Sequence, residues 1–264
     1  MPELAEVESY RKRWDCGVGE EVERVVVNVG KRVFRGVEVE RFVGLLAGAK
    51  FLGSEAAAKQ MVFRFSGGIW MGLHLGMTGE LRVEAGDFLP EKHDHLVIYQ
   101  AKRALIFGDA RMFGRVQFFE GAGEPEWWSG LAPAVSSEGF TLVVVKEFCR
   151  AHRKLAVKAG LLKQERFPGV GNWMADEILW RAGIHPGRLC GDLSEAEVEA
   201  VWREAREVCV GALASVGAGD EDPPADWFFH QRWTNRGHCP RHGVGLETGT
   251  MGGRTTRWCG LCQR

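Results

Sequence analysis

Apolar positions follow two different spacings in the two halves of the chain. Between residues 22 and 120 they form short continuous or alternating runs, and glycine or polar residues separate most of these runs. This pattern predicts the strands of an antiparallel sandwich or barrel, interrupted by one helix at residues 37–46. The predicted strands read VERVVVNV, QMVFRF, IWMGLHL, ELRVE, HLVIYQ, ALIF and GRVQFF.

Helical spacing marks the N-terminus and the second half of the chain. We predict a helix over residues 2–16 with Pro2 at its first position. An N–H at that position has no acceptor within the helix, so the missing N–H of proline costs no hydrogen bond. Further helices are predicted, in chain order, over residues 153–164, 172–182 and 194–216. Ser194 and Glu197 have the spacing of a capping box at the start of the last helix.

A segment rich in glycine, proline and serine at residues 121–140 separates the β-rich part from the helical part, and it indicates a domain boundary. We therefore predict an α+β protein whose N-terminal β-sandwich domain occupies residues 1–130. A helical domain at residues 131–229 and a C-terminal element at residues 230–264 are expected to follow it.

Composition narrows the functional classes. The 264 residues are 45% hydrophobic and 26% charged, which excludes disorder as the main state. No apolar window approaches about 18 residues and no basic, apolar leader opens the chain, so we expect neither a membrane-spanning nor a secreted protein. A formal net charge of −1 argues against a generic polyanion partner.

The small net charge conceals an uneven distribution. Residues 191–226 hold ten Asp and Glu against two Arg, a net charge of −8. Residues 230–264 hold six Arg against one acidic residue, Glu247, a net charge of +5. A solvated face explains either segment alone, but a basic C-terminal element is also typical of proteins that contact nucleic-acid phosphates.

The seven cysteines are predicted to be reduced thiols, because their number is odd and no secretion signal is present. Four scattered cysteines are interpreted as small buried hydrophobic residues: Cys16, Cys149, Cys190 and Cys209. The other three lie close to the C-terminus and belong to a different pattern.

That pattern is typical of a metal site. Cys239 and His242 are separated by two residues, and sixteen residues follow them. Cys259 and Cys262 are again separated by two residues, and two such pairs are typical of a zinc ribbon with one tetrahedral site. His238 is a competing ligand that breaks the spacing, and accidental spacing is the alternative explanation.

The FPGVGN segment is a candidate anion site. Gly169 and Gly171 permit a tight turn, and Asn172 begins a predicted helix whose exposed N–H groups are suited to a phosphate. A simple corner between two helices explains the same residues. Three nearby lysines favour the phosphate interpretation: Lys154, Lys158 and Lys163.

The N-terminus offers a catalytic amine. If Met1 is removed, Pro2 presents a secondary amine, and an unprotonated amine is a nucleophile toward an aldehyde or a sugar C1′. Glu3 and Glu6 lie three residues apart in the predicted first turn, where they can handle protons beside the amine. On composition alone, an ordinary helix start is the better explanation of these residues.

Seven motifs, taken together, resemble one family over nearly the whole chain. In chain order they are PELAEVE (2–8), HLGMTG (74–79), KHDH (92–95), DARMFG (109–114), GVGN (169–172), GIHP (183–186) and the C-terminal metal pattern. The chain resembles bacterial formamidopyrimidine-DNA glycosylases and their endonuclease VIII relatives. PELAEVE and KHDH are closer to the formamidopyrimidine branch.

The resemblance implies a two-sheet β-sandwich flanked by helices, then a helix–two-turn–helix domain that ends in a zinc-finger β-hairpin with one structural Zn²⁺. It also implies a bifunctional DNA glycosylase and abasic-site lyase that acts on oxidised bases in duplex DNA. In that reaction Pro2 attacks C1′ of a flipped-out nucleotide, the base leaves, and the resulting imine drives β,δ-elimination.

Catalytic roles are implied by the resemblance for five residues: Pro2, Glu3, Glu6, Lys59 and Arg254. Glu3 assists sugar-ring opening and proton transfer, and Glu6 supports the site. Lys59 lies where the family has a hairpin lysine that contacts phosphate beside the lesion. Arg254 matches the zinc-finger arginine that binds the phosphates flanking the flipped base.

DNA-binding roles are implied for five further residues: His74, Met77, Arg111, Phe113 and Asn172. Asn172 is expected to hold a backbone phosphate. Met77, Arg111 and Phe113 are expected to fill the stack that the flipped base vacates. For Met77 and Phe113, packing in the core is the competing interpretation.

The sequence departs from the family pattern in several places. His242 stands where the family usually has a cysteine, and imidazole also serves zinc well. Ala5 replaces a proline, and the basic residues that often precede the family's hairpin lysine are absent before Lys59. The acidic GAGDEDPPADWFFHQRW replaces the longer segment of members that recognise 8-oxoguanine, so the sequence does not predict a preference for that lesion.

The leading hypothesis is a DNA repair enzyme that excises oxidised bases from double-stranded DNA. Two alternatives stay open, namely endonuclease VIII-like specificity for oxidised pyrimidines and a non-catalytic, zinc-dependent protein that binds damaged DNA. A mere binder has no need of the complete set of catalytic residues. We expect a monomer in the bacterial cytoplasm, at the nucleoid, without membrane association.

Overall fold

The computed structural model of the protein describes residues 1–234 and 236–264. These residues separate into two units, each with its own hydrophobic core. The first unit comprises residues 1–2 and 6–131, and the second comprises residues 3–5 and 132–264. Among the described residues, no helix combines the length and the apolar character needed to cross a membrane.

The first unit is built on two antiparallel four-stranded sheets. Its strands are β1 (Arg24–Val27), β2 (Phe51–Ala57), β3 (Gln60–Phe65), β4 (Ile69–His74), β5 (Gly79–Ala85), β6 (Asp94–Gln100), β7 (Arg103–Asp109) and β8 (Arg115–Glu120). One sheet has the order β2-β3-β4-β8 and the other has the order β1-β6-β7-β5. β2 is missing from the predicted strands because small and charged residues occupy most of it.

Side chains from both sheets share one core, which confirms the predicted sandwich. Phe63 and Met71 of the first sheet are fully buried in it. Leu96 and Phe107 of the second sheet belong to the same cluster. Other residues of β6 and β7, including Tyr99, are buried on the opposite face. Because both faces of these two strands are covered, their sequences are continuously apolar rather than alternating.

The helices of the first unit are α1 (Leu4–Arg13), whose first two residues belong to the second unit, α2 (Val39–Leu46) and α3 (Glu126–Ser129). α2 lies within the predicted interruption, and it buries Phe42 and Leu46 in the core of the sandwich. α1 is shorter than predicted, because Pro2 precedes the helix and a 3-10 turn follows it at Trp14–Gly17. α3 interrupts the segment that the sequence predicts as a linker.

The helices of the second unit are α4 (Leu142–Ala151), α5 (Val157–Leu161), α6 (Asn172–Ala182), α7 (Glu195–Ala214) and α8 (Phe229–Arg232). α6 and α7 confirm two predicted helices. The capping box of α7 is also confirmed, because the Glu197 N–H donates to Ser194 Oγ (3.3 Å) and the Ser194 N–H donates to Glu197 Oε2 (2.7 Å).

The predicted helix over residues 153–164 is wrong. Turns and a bend occupy residues 152–155, and only the five residues of α5 are helical. α4 lies before them, although it begins with LVVV, whose β-branched residues favour a strand. Thr141 caps α4 by accepting a hydrogen bond from the Val144 N–H (3.4 Å). The helix is then stabilised by packing of three residues at helical spacing: Val145, Phe148 and Cys149.

The C-terminal residues form the expected β-hairpin. β9 (Glu247–Met251) pairs with β10 (Arg254–Trp258) in an antiparallel register that leaves a two-residue turn between them. Gly252 and Gly253 have φ values of 58° and 72°, and a turn with positive φ at both positions suits glycine. The turn places Arg254 at the first position of β10.

All seven cysteines are free thiols, as predicted, but Cys16 is not buried. It lies in the exposed 3-10 turn after α1, where its thiol donates a hydrogen bond to the Arg13 carbonyl (3.4 Å). The other three scattered cysteines are buried in the second unit.

Candidate functional site

The four predicted metal ligands lie together in the second unit. The ligand atoms of Cys239, His242, Cys259 and Cys262 all lie within 4.8 Å of one another. Cys239 Sγ is 3.5 Å from His242 Nδ1 and 3.8 Å from Cys262 Sγ. Tetrahedral coordination at zinc–sulfur distances of about 2.3 Å separates ligand atoms by about 3.7 Å, so the donors fit such an ion. Within the described part of the chain, His238 is not part of the cluster.

Local structure prepares Cys239 to bind a metal. The N–H groups of His242 (3.2 Å) and Gly243 (2.8 Å) donate to its carbonyl, which folds the first ligand pair into a tight turn. Burial opposes ionisation of the Cys239 thiol, but hydrogen bonds from Trp180 Nε1 and His242 lower its pKa to about 6. The thiolate is the form that binds metals, so the protein favours the ligand state.

The N-terminus of α6 is occupied by Glu3. The Trp173 N–H donates to Glu3 Oε1 (3.0 Å), and the Met174 N–H donates to Glu3 Oε2 (3.2 Å). The Glu3 side chain is buried, and a Cβ at Gly171 would overlap its carboxyl group. The positive end of the helix therefore stabilises a carboxylate of the protein itself. The prediction that these N–H groups bind an external phosphate is wrong.

Lys158 is also unavailable to a phosphate, contrary to prediction. It is fully buried, where its ammonium donates to the Asn172 carbonyl (3.0 Å) and pairs with Asp176. Arg232 donates to the other carboxylate oxygen of Asp176 through Nε (3.0 Å) and Nη2 (2.6 Å). Burial lowers the pKa of the Lys158 ammonium, and the charge of Asp176 opposes that shift. The three side chains form a buried ion-pair network.

Asn172 and Arg254 come close to each other through the hairpin of the second unit. Asn172 Nδ2 donates to the carbonyl of Thr255 (2.9 Å), the residue that follows Arg254. The Arg254 side chain is exposed at the start of β10. One amide hydrogen of Asn172 thus fixes β10 beside the start of α6, and the guanidinium of Arg254 remains open to solvent.

Met77, Arg111 and Phe113 lie on two adjoining loops of the first unit. The side chains of Met77 and Phe113 are 38% and 42% exposed, which excludes the core-packing interpretation for both. The Arg111 guanidinium lies 4.9 Å from the centre of the Phe113 ring. Gly76 leaves no room for a Cβ against the Phe113 backbone, so the two loops approach closely.

Asp109 joins these two loops and is not among the residues predicted from the sequence. Its buried carboxylate accepts hydrogen bonds from Thr78 Oγ1 (2.7 Å), the Arg111 N–H (3.2 Å) and the Gly114 N–H (2.7 Å). An aspartate at the start of a loop often accepts hydrogen bonds from N–H groups a few residues later, as in an Asx turn. The first residue of DARMFG could therefore have indicated this role. The carboxylate joins the two loops that carry these exposed side chains.

His74 and Lys59 lie side by side in the first unit. His74 ends β4, and its strand neighbour in β3 is Gln60, the residue after Lys59. Burial lowers the pKa of the His74 imidazole, and the charges of Lys59 and Arg35 lower it further. The Gly76 N–H donates to His74 Nδ1 (3.0 Å). The neutral ring therefore carries its hydrogen on Nε2, which leaves a donor for an acceptor such as phosphate.

Pro2 and Glu6 belong to the first unit, whereas Glu3 belongs to the second. Pro2 is partly buried, and it follows Met1, whose side chain is 47% exposed. Glu6 lies in the first turn of α1, as predicted. Removal of Met1 would make the Pro2 nitrogen the chain terminus, one residue before a carboxylate that is already fixed.

Family models match most of the chain, and curated relatives match all of it. The model of the formamidopyrimidine-DNA glycosylase N-terminal domain matches residues 1–116, and the model of the formamidopyrimidine-DNA glycosylase H2TH domain matches residues 131–221. The chain is 34% identical over 276 residues to the formamidopyrimidine-DNA glycosylase of Roseiflexus sp. (strain RS-1). It is 33% identical over 275 residues to that of Halorhodospira halophila. Both alignments cover 100% of each protein.

Solved structures agree with these matches. The chain superposes with a TM-score of 0.86 and 26% identity on the Lactococcus lactis glycosylase bound non-covalently to DNA that contains an AP site, over 99% of both chains. A mutant of that protein in complex with a Fapy-dG containing DNA gives a TM-score of 0.88 at 26% identity, over 100% of both chains. MutM in complex with carbocyclic 8-oxo-G containing DNA gives 0.86 at 25% identity.

Proposed function

This chain belongs to the formamidopyrimidine-DNA glycosylase family and is a DNA glycosylase of base excision repair, and we propose that it also cleaves abasic DNA through an imine formed on Pro2. Its substrate in this proposal is damaged double-stranded DNA. The observation that carries the proposal is the carboxylate of Glu3, which two backbone N–H groups of α6 hold directly after Pro2. A fixed carboxylate beside a chain-terminal amine is suited to move protons during attack by that amine.

The proposed reaction starts after Met1 has been removed. The Pro2 nitrogen attacks C1′ of a nucleotide that has left the stack, the bond from C1′ to the damaged base breaks, and the sugar ring opens to an imine. Loss of the C2′ proton expels the 3′ phosphate, and a second elimination expels the 5′ phosphate. We assign proton transfer at the ring oxygen to Glu3 and support of the terminus to Glu6.

Phosphate contacts are assigned to His74, Lys59, Arg254 and Asn172. The neutral imidazole of His74 keeps an Nε2–H donor beside the ammonium of Lys59, and both groups suit an anionic oxygen. Arg254 is exposed at the tip of the hairpin, where a guanidinium binds phosphate well. The second amide hydrogen of Asn172 is suited to the same backbone.

Met77, Arg111 and Phe113 are assigned to the space that the flipped base vacates. Their exposure supports this proposal, because a wedge must be free to enter the unstacked step. The hydrogen bonds of Asp109 hold the loops before DNA arrives. These loops therefore lose less conformational entropy when DNA binds.

The metal of the C-terminal cluster is proposed to be one structural Zn²⁺. Three thiol ligands and one imidazole, with no place left for a substrate, are typical of structural zinc sites. The ion would cross-link the turn at Cys239 to the end of the chain, and thereby hold the hairpin that carries Arg254. It takes no part in the chemistry at C1′.

Chelation of the metal is expected to weaken binding to abasic duplex DNA by more than about tenfold, because the hairpin loses its cross-link. Metal content and DNA affinity are measured on the same samples. Cys16→Ser is the matched control, since Cys16 is an exposed thiol outside the cluster, and it should keep both metal and affinity. Full affinity of demonstrably metal-free protein would contradict the structural role.

Arg254→Ala is expected to weaken duplex binding about equally for all sequences and to reduce the slope of log K against log salt concentration by about 1. The reason is the loss of one phosphate contact. Arg203→Ala is the matched control, because Arg203 is also exposed but lies on the acidic helix α7. An unchanged salt slope for Arg254→Ala would remove this residue from the phosphate contacts.

Specificity for oxidised pyrimidines, as in endonuclease VIII, is the second candidate function. Only fourteen residues separate α7 from α8, so no long lesion-recognition segment exists there. Duplexes with single lesions separate the candidates. We expect cleavage of formamidopyrimidine lesions with phosphate left on both ends, whereas preferential cleavage of oxidised pyrimidines would establish the alternative. Binding without any strand cleavage would instead support a non-catalytic damage-binding protein.

The remaining assignments follow from the DNA substrate. We propose that the protein works as a monomer at the bacterial nucleoid, in the cytoplasm, where its duplex substrate is located. We also propose three functional segments, the catalytic sandwich at residues 1–130, the helix–two-turn–helix domain at residues 131–229 and the zinc finger at residues 230–264. Size-exclusion chromatography with and without an abasic duplex tests the monomer.

A further inference from the structure

Cys149 and Cys190 form a pair of thiols that neither the proposed DNA contacts nor the metal site uses. Cys149 lies in the last turn of α4, and Cys190 begins a 3-10 turn between α6 and α7. Both side chains are buried, with Cys149 6% exposed and Cys190 3% exposed. The backbone holds Cys190 in place, because its N–H donates to the Leu155 carbonyl (2.8 Å).

Both thiols line one cavity of about 180 Å³ in the second unit. A volume of this size holds several molecules as small as water, and a hydroperoxide is comparable in size. The cavity is lined by three cationic side chains: Lys146, Arg150 and Arg153. One carboxylate, Glu195, also lines it, and Lys146 is paired with that carboxylate (3.1 Å).

The surroundings of the two sulfurs differ in a way that separates their roles. Interaction with the Cys190 thiol lowers the pKa of the Cys149 thiol, against the opposing effect of burial. The same contact, together with burial, raises the pKa of Cys190. A lower pKa favours the thiolate, which is the reactive form of cysteine, and a second thiol in the same cavity is placed to resolve its oxidation product.

We propose that Cys149 and Cys190 are an oxidant-sensitive dithiol, which a hydroperoxide entering this cavity converts to a disulfide. In the first step the Cys149 sulfur attacks one peroxide oxygen. A sulfur–oxygen bond forms, the oxygen–oxygen bond breaks, and the leaving oxygen takes up a proton. In the second step the Cys190 sulfur attacks the sulfenic sulfur, and hydroxide leaves with the Cys190 proton as water. The two sulfurs supply the two electrons that reduce the peroxide.

The test compares cysteines within one protein. Full-length, metal-loaded protein is treated with hydrogen peroxide at doses that leave the metal bound, remaining thiols are alkylated, and the unreduced digest is examined by mass spectrometry. We expect Cys149 to be consumed at least about tenfold faster than the exposed Cys16, with a Cys149–Cys190 linked peptide as product. Cys209 is the buried reference, since burial raises its pKa to about 12, and it should stay reduced.

Two variants make the result decisive. Cys190→Ser should leave Cys149 as a sulfenic acid that a dimedone probe captures, because the resolving thiol is gone. Cys16→Ser should leave the rate of disulfide formation unchanged. Faster oxidation of Cys16 than of Cys149, or a Cys149 product that does not involve Cys190, would overturn the proposal. None of these readouts depends on DNA cleavage, so the proposal stands or falls separately from the proposed function.

Discussion

A chain that retains Met1 is expected to lose covalent trapping on abasic duplex DNA by about a thousandfold or more, relative to the same chain with Met1 removed. In the retained form the Pro2 nitrogen is part of a peptide bond, and resonance removes its lone pair from nucleophilic attack. Borohydride reduces the imine to a stable amine, so the trapped protein–DNA adduct measures how much imine forms. The N-terminal residue of each sample is established by mass spectrometry.

The control for this experiment is DNA binding without chemistry. Both forms should bind a duplex with a non-reactive abasic analogue within about threefold of each other, because the assigned phosphate contacts lie elsewhere in the chain. Pro2→Gly with Met1 removed should also trap far less adduct, since it replaces the secondary amine by a primary one without the ring. Undiminished trapping with Met1 retained would show that Pro2 is not the nucleophile.

The sequence predicted features whose physical cause lies within a short stretch of chain. α6 begins at Asn172 as expected, because glycines precede it and its apolar spacing is regular. The four metal ligands come together as their two-residue spacing indicates, since each pair needs only one tight turn. The capping box of α7 is likewise a contact between residues three positions apart.

Features that depend on distant partners were not predictable. Lys158 looks like any other lysine near the FPGVGN turn, and only the folded chain brings Asp176 and Arg232 to it. The same holds for Glu3, whose carboxylate fills the start of a helix that lies 170 residues further along the chain. α4 illustrates the point for secondary structure, because packing overrides the strand preference of its β-branched residues.

Exposure is a second property that local patterns do not determine. Met77 and Phe113 are large apolar residues, and without the family resemblance we would expect both of them in the core. Both side chains are exposed in loops that the hydrogen bonds of Asp109 hold together, and those bonds join loops that are far apart in the sequence.

Asp176→Asn is expected to destabilise the second unit by about 3–5 kcal/mol. The amide has the size of the carboxylate but no charge, so two cations would remain buried without their counterion. The Lys158 side chain is fully buried, and that of Arg232 is 4% exposed, so solvent does not screen either charge. The free energy of unfolding is measured on metal-loaded protein in urea, with the far-UV circular dichroism of the helices as signal.

Asp220→Asn is the matched control, because Asp220 is exposed in the acidic segment after α7, and it should change stability by less than about 0.5 kcal/mol.

A second variant separates the effect of charge from the effect of side-chain shape. Lys158→Met in the Asp176→Asn background removes one of the two buried cations that lack a counterion, and it should recover more than about 1 kcal/mol of the free energy of unfolding. A loss below about 1 kcal/mol for Asp176→Asn, or no recovery in the double variant, would mean that the ion pairs do not hold this network together.

Because the Lys158 ammonium donates to the Asn172 carbonyl in the first turn of α6, the same unfolding removes the donors that hold Glu3. Loss of stability and loss of imine trapping are therefore expected to follow the same urea dependence.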